Sequence, residues 1–208
     1  LRGLQSFLQD LMLDEPFARE MVERMTDHLI AVGRAAVERT DFPRIQLHIA
    51  DDVAARKAPL LSPALYERVF LPNLKKMVSA FHALGFKVSY ESEGNVWPML
   101  ELLDNAGVDG LAHMEPRAGM LIEKIREHCG SRFFLLGNVC NTLVLPRGDR
   151  KAIAREVYRV LSNATDGRYM GLSAHSIGYD VSPDAYDYFW GLMNRFGRYP
   201  MDLAALRR

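Results

Sequence analysis

Cysteine is almost missing from this 208-residue sequence, which has only Cys129 and Cys140. Two thiols are too few for a disulfide framework or a cysteine-based zinc site, and a reducing cytoplasm suits them best. Net charge is missing as well: 26 lysines and arginines balance 26 aspartates and glutamates. With no basic field, nucleic acid and anionic membrane surfaces are set aside as partners. No run of about 18 apolar residues is present to span a bilayer, and no charged-then-apolar leader opens the chain. None of the helical segments starts on a glycine-rich phosphate fingerprint, so a dinucleotide-binding open sheet loses support. What remains is ordinary globular composition, 49% hydrophobic and 25% charged, enough for one large domain or two small ones. The first residue is Leu1, already in helical sequence, which points to a piece of a longer protein.

Along the chain, helical and strand-like patterns alternate. Leu4, Phe7, Leu8 and Leu11 share one helical face, and Asp14 to Pro16 closes that helix and starts a second. "RIQLHIADD" predicts a strand ending in Asp51 and Asp52, and Ser62-Pro63 opens a helix that runs to Gly85. The strand "FKVSYE", a helix over "WPMLELLDNAG", the strand "GLAHME" and the helix "AGMLIEKIREHCG" follow. The strand "RFFLLGNV", the helix "RKAIAREVYRVLSNA", the strand "GRYMGLSAH" and the helix "SPDAYDYFWGLMNRFG" complete the order. This alternation predicts an α/β fold with a parallel sheet wrapped by helices. The polar residues Asp51, Asp52, Glu91, Glu93, Glu115, Asn138 and His175 all fall at strand C-terminal ends, where a (β/α)8 TIM barrel builds its active site. A closed barrel needs about 250 residues, so roughly three N-terminal β/α units are expected to be missing. Residues 1–208 are then the C-terminal portion of a single barrel domain.

Several segments carry a resemblance. "DDVAARKAPLLSPALYERVFLPNLKKMV", "GFKVSYESEGNVWPMLELLDNAGVDGL", "EPRAGM", "LLGNV" and "GLSAHSI…VSPDAY" stand in this order. Together they resemble the uroporphyrinogen decarboxylase superfamily from about Leu4 to Gly197. The resemblance implies an incomplete (β/α)8 barrel and one of two chemistries. One is metal-free decarboxylation of the acetate side chains of uroporphyrinogen. The other is methyl transfer to or from a corrinoid or thiol carrier, usually with zinc. The methyltransferases carry a His-x-Cys pair before the Gly-Asn turn and a second cysteine after the last strand. Here Glu91 and Glu93 occupy the first positions and neither cysteine falls in the motif, so a thiolate-rich zinc site is absent. His175 matches the family's histidine after the final strand, while Asp52 replaces the serine expected after the first acid.

Glu91 and Glu93, two apart, should share a strand face. With His175 they can ligate a divalent metal such as zinc around an open position suited to Lewis-acid catalysis. Alternatively the two glutamates bind backbone amides or an arginine at the barrel mouth. Asp51 and Asp52 are candidate general acid or base groups, or an ion pair with Arg56 and a helix cap. His175 is the third catalytic candidate, or else a histidine bonded to a loop carbonyl. Asn95, Glu115, Asn138 and Arg56 are the expected substrate contacts, although Glu115 and Asn138 also fit a structural role. His28, His82 and His128 fall on helices, and His48 and His113 inside strands, where a satisfied core histidine is the commoner case. The activity expected is metal-assisted methyl transfer between a small methylated substrate and a corrinoid protein. The alternatives are a decarboxylase of uroporphyrinogen or another carboxylic acid, needing no cofactor, and a non-catalytic binding module. Family members often form dimers, so a homodimer is also an expectation.

Overall fold

The computed structural model describes residues 2–41 and 43–206. Five strands form one sheet in the order β1 (Gln46–Ala50), β2 (Lys87–Glu91), β3 (Gly110–Ala112), β4 (Phe134–Leu136) and β5 (Tyr169–Met170). The pairings β2–β3, β3–β4 and β4–β5 are parallel, with Glu91 beside Ala112, Ala112 beside Leu136 and Leu136 beside Met170. Parallel neighbours require a crossover, and helices supply it between successive strands. The spatial order equals the chain order, as in a (β/α)8 barrel; a doubly wound sheet reverses direction at a switch point. The fold is α/β, with five strands of an incomplete barrel.

The chain divides into two compact units. The first comprises residues 1–47, 61–88 and 99–108. It holds α1 (Leu4–Leu13), α2 (Glu15–Glu38), α3 (Pro63–Val69), α4 (Leu71–His82) and α5 (Leu100–Asn105). Leu11, Ala18, Leu65 and Val69 form a buried cluster joined by Phe7, Leu8, Val22 and Phe70. Asp14 and Ser62 accept from the amides of Phe17 and Leu65, capping α2 and α3. The single helix expected from Ser62 to Gly85 is in fact two, divided at Phe70. The reason is Pro72, which has no N–H to give the Arg68 carbonyl and whose ring crowds it. The helix expected over "WPMLELLDNAG" likewise opens as a 3-10 turn, Trp97–Met99, with α5 starting at Leu100.

The second unit comprises residues 48–60, 89–98 and 109–208. It adds α6 (Ile122–Cys129), α7 (Arg150–Ser162) and α8 (Pro183–Phe196). Its core is Leu135, Ile122, Ile125, Ile153, Val157, Leu161 and Phe189, each at most 1% exposed. α7 and α8 pack against each other. The C-terminal ends of all five strands belong to this unit, and the polar residues singled out from sequence lie on it. Among the described residues no helix is long and apolar enough to cross a membrane.

Candidate active site at the strand ends

Three strand ends converge on Glu91. Alternation puts Ser89 and Glu91 on one face of β2, and both meet His48 of β1. The His48 Nδ1 lies 2.8 Å from the Ser89 hydroxyl, and its Nε2 is hydrogen-bonded to Glu91 Oε2. From the other side, His113 Nδ1 comes within 3.5 Å of Glu91 Oε1. His113 follows β3 directly, with a φ of 54°, a left-handed conformation that is unfavourable for a non-glycine residue. Its Nδ1 is buried and, among the described residues, has no hydrogen-bond partner. Ligand atoms of His48, Glu91 and His113 all lie within 4.8 Å of one another.

Glu93 departs from this group. It lies beyond the last strand residue, so the strict alternation expected for Glu91 and Glu93 ends between them. Its Oε1 is 2.5 Å from His175 Nε2, and the His175 ring stands edge-on to His113 at 5.5 Å. Glu93, His113 and His175 line a cleft of about 280 Å³, with Arg56, Glu115 and Arg117 around it. Arg56 and Glu115 approach to 3.7 Å.

The loop that carries Glu93 is stapled down. The Glu93 amide donates to Asp52 Oδ1 at 3.1 Å, the Val53 amide to Ser92 Oγ at 3.1 Å and the Asn95 amide to Ala55 O at 2.9 Å. Gly94 has a φ of 80°, and a Cβ there would sit 2.4 Å from Ala55 O. Only glycine allows so close a crossing of two backbones. Asn95 bridges Lys57 O and the Trp97 amide, so its side chain ties the loop.

The remaining predicted residues have separate places. Asp51 accepts from the Tyr90 hydroxyl at 3.3 Å. Although open to solvent on one side, its carboxyl is crowded by protein. Desolvation pushes its pKa up despite the Tyr90 hydrogen bond, and the charge of Asp52 adds to the rise. Asn138 is completely buried with a φ of 73°. Its amide gives hydrogen bonds to Met114 O and Met120 O, and accepts from the Ile122 amide and Arg159. All four of its hydrogen-bonding positions are therefore used inside the protein.

His48 and His113 were read from sequence as ordinary strand histidines, yet they are the imidazoles nearest Glu91. The usable signal was the position of His113, immediately past the strand end that stops at Ala112. His48 gave no local signal, because it depends on which strand lies beside β2.

Burial holds the His113 pKa below its ordinary value, with His175 and His48 adding to the depression and Glu91 opposing it. The folded protein thus prefers neutral His113. Stability from this preference is complete above the unfolded-state pKa of about 6.5 and is lost as pH falls through the lower folded-state value. In metal-free protein, the urea midpoint is expected to fall between about pH 7.5 and pH 5.5, and to fall less in His113→Asn. An equal decline in both proteins would remove His113 as a source.

The profile of the family described as Uroporphyrinogen decarboxylase (URO-D) matches residues 1–196. The chain belongs to this family. It is also similar in structure to a methyltransferase from Methanosarcina mazei, with a TM-score of 0.76 and 22% sequence identity. That alignment covers 93% of this chain and 54% of the methyltransferase, so the chain spans about half the length of that relative. At this identity the likeness establishes a common fold. No curated protein matches the chain. Within the URO-D fold, the donor set at the strand ends contains imidazole and carboxylate: Cys129 lies on α6 and Cys140 follows β4, and both are buried.

Proposed function

We propose that this chain is the C-terminal portion of a single URO-D barrel domain catalysing metal-assisted methyl transfer between a small methylated substrate and a cytoplasmic corrinoid protein. The observation that carries this reading is the Glu93–His175 pair, which faces the cleft beside the His48–Glu91–His113 group. A divalent metal held by residues of the strand-end group, such as His48, Glu91 and His113, would supply Lewis acidity toward the heteroatom that bears the methyl group. The protein's own residues do the rest. Arg56 and Glu115 orient the substrate at the cleft edge, and Asp52 fixes the backbone that presents Glu93. As the methyl carbon–heteroatom bond breaks, its electron pair stays on the heteroatom and His175 delivers a proton there, with Glu93 holding the imidazole in place. A reduced corrinoid on the partner protein would accept the methyl group and supply the electron pair of the new bond.

A second reading is a metal-free decarboxylase acting on uroporphyrinogen or another carboxylic acid. It is favoured by Asp51, whose raised pKa suits a proton donor to the carbanion left by carbon dioxide, and by Arg56 as a carboxylate contact. The two are separated by offering the full-length protein a panel of methoxy and methylamine donors with a reduced corrinoid protein, and separately uroporphyrinogen. A visible-spectrum change to the methylated corrinoid is expected. Carbon dioxide release from uroporphyrinogen, with no corrinoid methylation, would overturn the first reading.

A further inference from the structure

We propose that His48, Glu91 and His113 bind one divalent cation through two imidazole nitrogens and a carboxylate, leaving Glu93 and His175 outside the coordination sphere. This deepens the one-carbon reading above by dividing the strand-end residues between a metal holder and a proton-transfer pair. Cation binding itself does not depend on the reaction.

Four observations support the assignment. First, the three ligand atoms already lie within 4.8 Å of one another. Donors about 2.1 Å from a tetrahedral ion are roughly 3.4 Å apart, so modest side-chain rotations complete the set. Second, the buried His113 Nδ1 is without a hydrogen-bond partner among the described residues. A buried polar atom left unpaired is destabilising, and a cation is the partner that its lone pair suits.

Third, His48 is oriented as a metal-ligating histidine would be. Its Nδ1 stands 2.8 Å from Ser89 Oγ, and its Nε2 faces Glu91 Oε2 across a hydrogen bond. A cation taking the place of the proton in that bond would be held by both atoms, with the Ser89 contact keeping the ring in the tautomer that ligates through Nε2. Fourth, the left-handed backbone at His113 keeps this residue at the junction of the two groups. It is the one member of the trio that also lines the cleft, so a cation held by the trio would stand beside the space where substrate would sit.

The donor types select the ion. Two imidazoles and a carboxylate, without thiolate, suit zinc or another first-row divalent metal and give no advantage to soft ions. A carboxylate-bearing site of this kind is built for polarising oxygen or nitrogen. It lacks the thiolates that would make it strongly electron-rich.

The test uses Co²⁺ alone as the probe, added to chelator-treated full-length protein and followed by visible d–d absorption and equilibrium dialysis. One Co²⁺ per chain is expected in the wild type and in a Glu93→Gln, His175→Gln double variant. His113→Asn, chosen because asparagine tolerates positive φ, and His48→Gln should each weaken binding at least about 100-fold. Ser89→Ala should weaken it about 10- to 100-fold. Far-UV circular dichroism checks that each variant folds; should His113→Asn not fold, His48→Gln carries the same test. No Co²⁺ binding by the wild type, or unchanged binding in the histidine variants, would overturn the proposal. So would loss of binding in the Glu93, His175 variant, which would move the ion to that pair. Failure of methyl transfer together with this binding pattern would overturn the function and leave the metal site standing.

Discussion

Glu93→Gln is expected to lower kcat/KM for methyl transfer by about 10²- to 10⁴-fold, the range that positioned acid–base groups supply. The substitution preserves size and leaves a hydrogen-bonding end, but removes the charge that meets His175 Nε2 at 2.5 Å. His175 then loses the partner that fixes its ring where the reacting heteroatom would lie. The loss should fall on kcat, because the cleft wall remains, with Arg56 and Glu115 in place as the proposed substrate contacts. Arg56→Gln is the contrast: it should raise KM with little change in kcat. Steady-state kinetics with corrinoid methylation as the signal checks both. A Glu93→Gln enzyme within about threefold of wild type at every pH would exclude Glu93 from the proton-transfer pair.

The residues of this pair were singled out from sequence, while two of the three residues in the proposed metal group, His48 and His113, were not. Glu91, Glu93 and His175 stand beside turn residues at strand ends, and the (β/α)8 rule assigns such positions to the active site. Helix starts were equally legible where serine or aspartate precedes proline, as at Ser62-Pro63 and Ser182-Pro183. Pro72 was harder, because the apolar spacing continues across it and only the missing amide divides α3 from α4. His48 was hidden for another reason. Its partners, Ser89 and Glu91, are 41 and 43 residues away, and parallel pairing with that register is a tertiary fact that no local period reports. His113 was concealed by an error of length: β3 ends at Ala112, so a residue expected inside a strand instead begins the loop.

Asn138→Ala is expected to destabilise the protein by about 3–5 kcal/mol, more than any exposed substitution at the cleft. The side chain has no solvent exposure and spans three chain segments. It donates to Met114 O and Met120 O at 2.9 and 2.6 Å, and accepts from the Ile122 amide at 3.0 Å and Arg159 at 3.1 Å. Alanine removes this partner from the Met114 and Met120 carbonyls and the Ile122 amide, at roughly 1–3 kcal/mol for each one that water cannot reach, while Arg159 keeps Glu156, Glu123 and the residue 138 carbonyl. It also inherits a φ of 73°, which costs an L-residue about 1–2 kcal/mol. Asn138→Gly separates the two causes, since glycine tolerates the backbone but restores no hydrogen bond. It should therefore recover only about 1 kcal/mol relative to alanine. The same segment continues to Asn141, whose amide donates to Ser176 O at 2.8 Å, next to His175. Loosening Asn138 thus reaches the cleft through the loop, and kcat should fall even at temperatures where the variant is folded. Urea midpoints with unchanged slope measure the stability change. A shift below about 1 kcal/mol in Asn138→Ala would mean that water or repacking satisfies the vacated groups, and that the loop does not depend on this side chain.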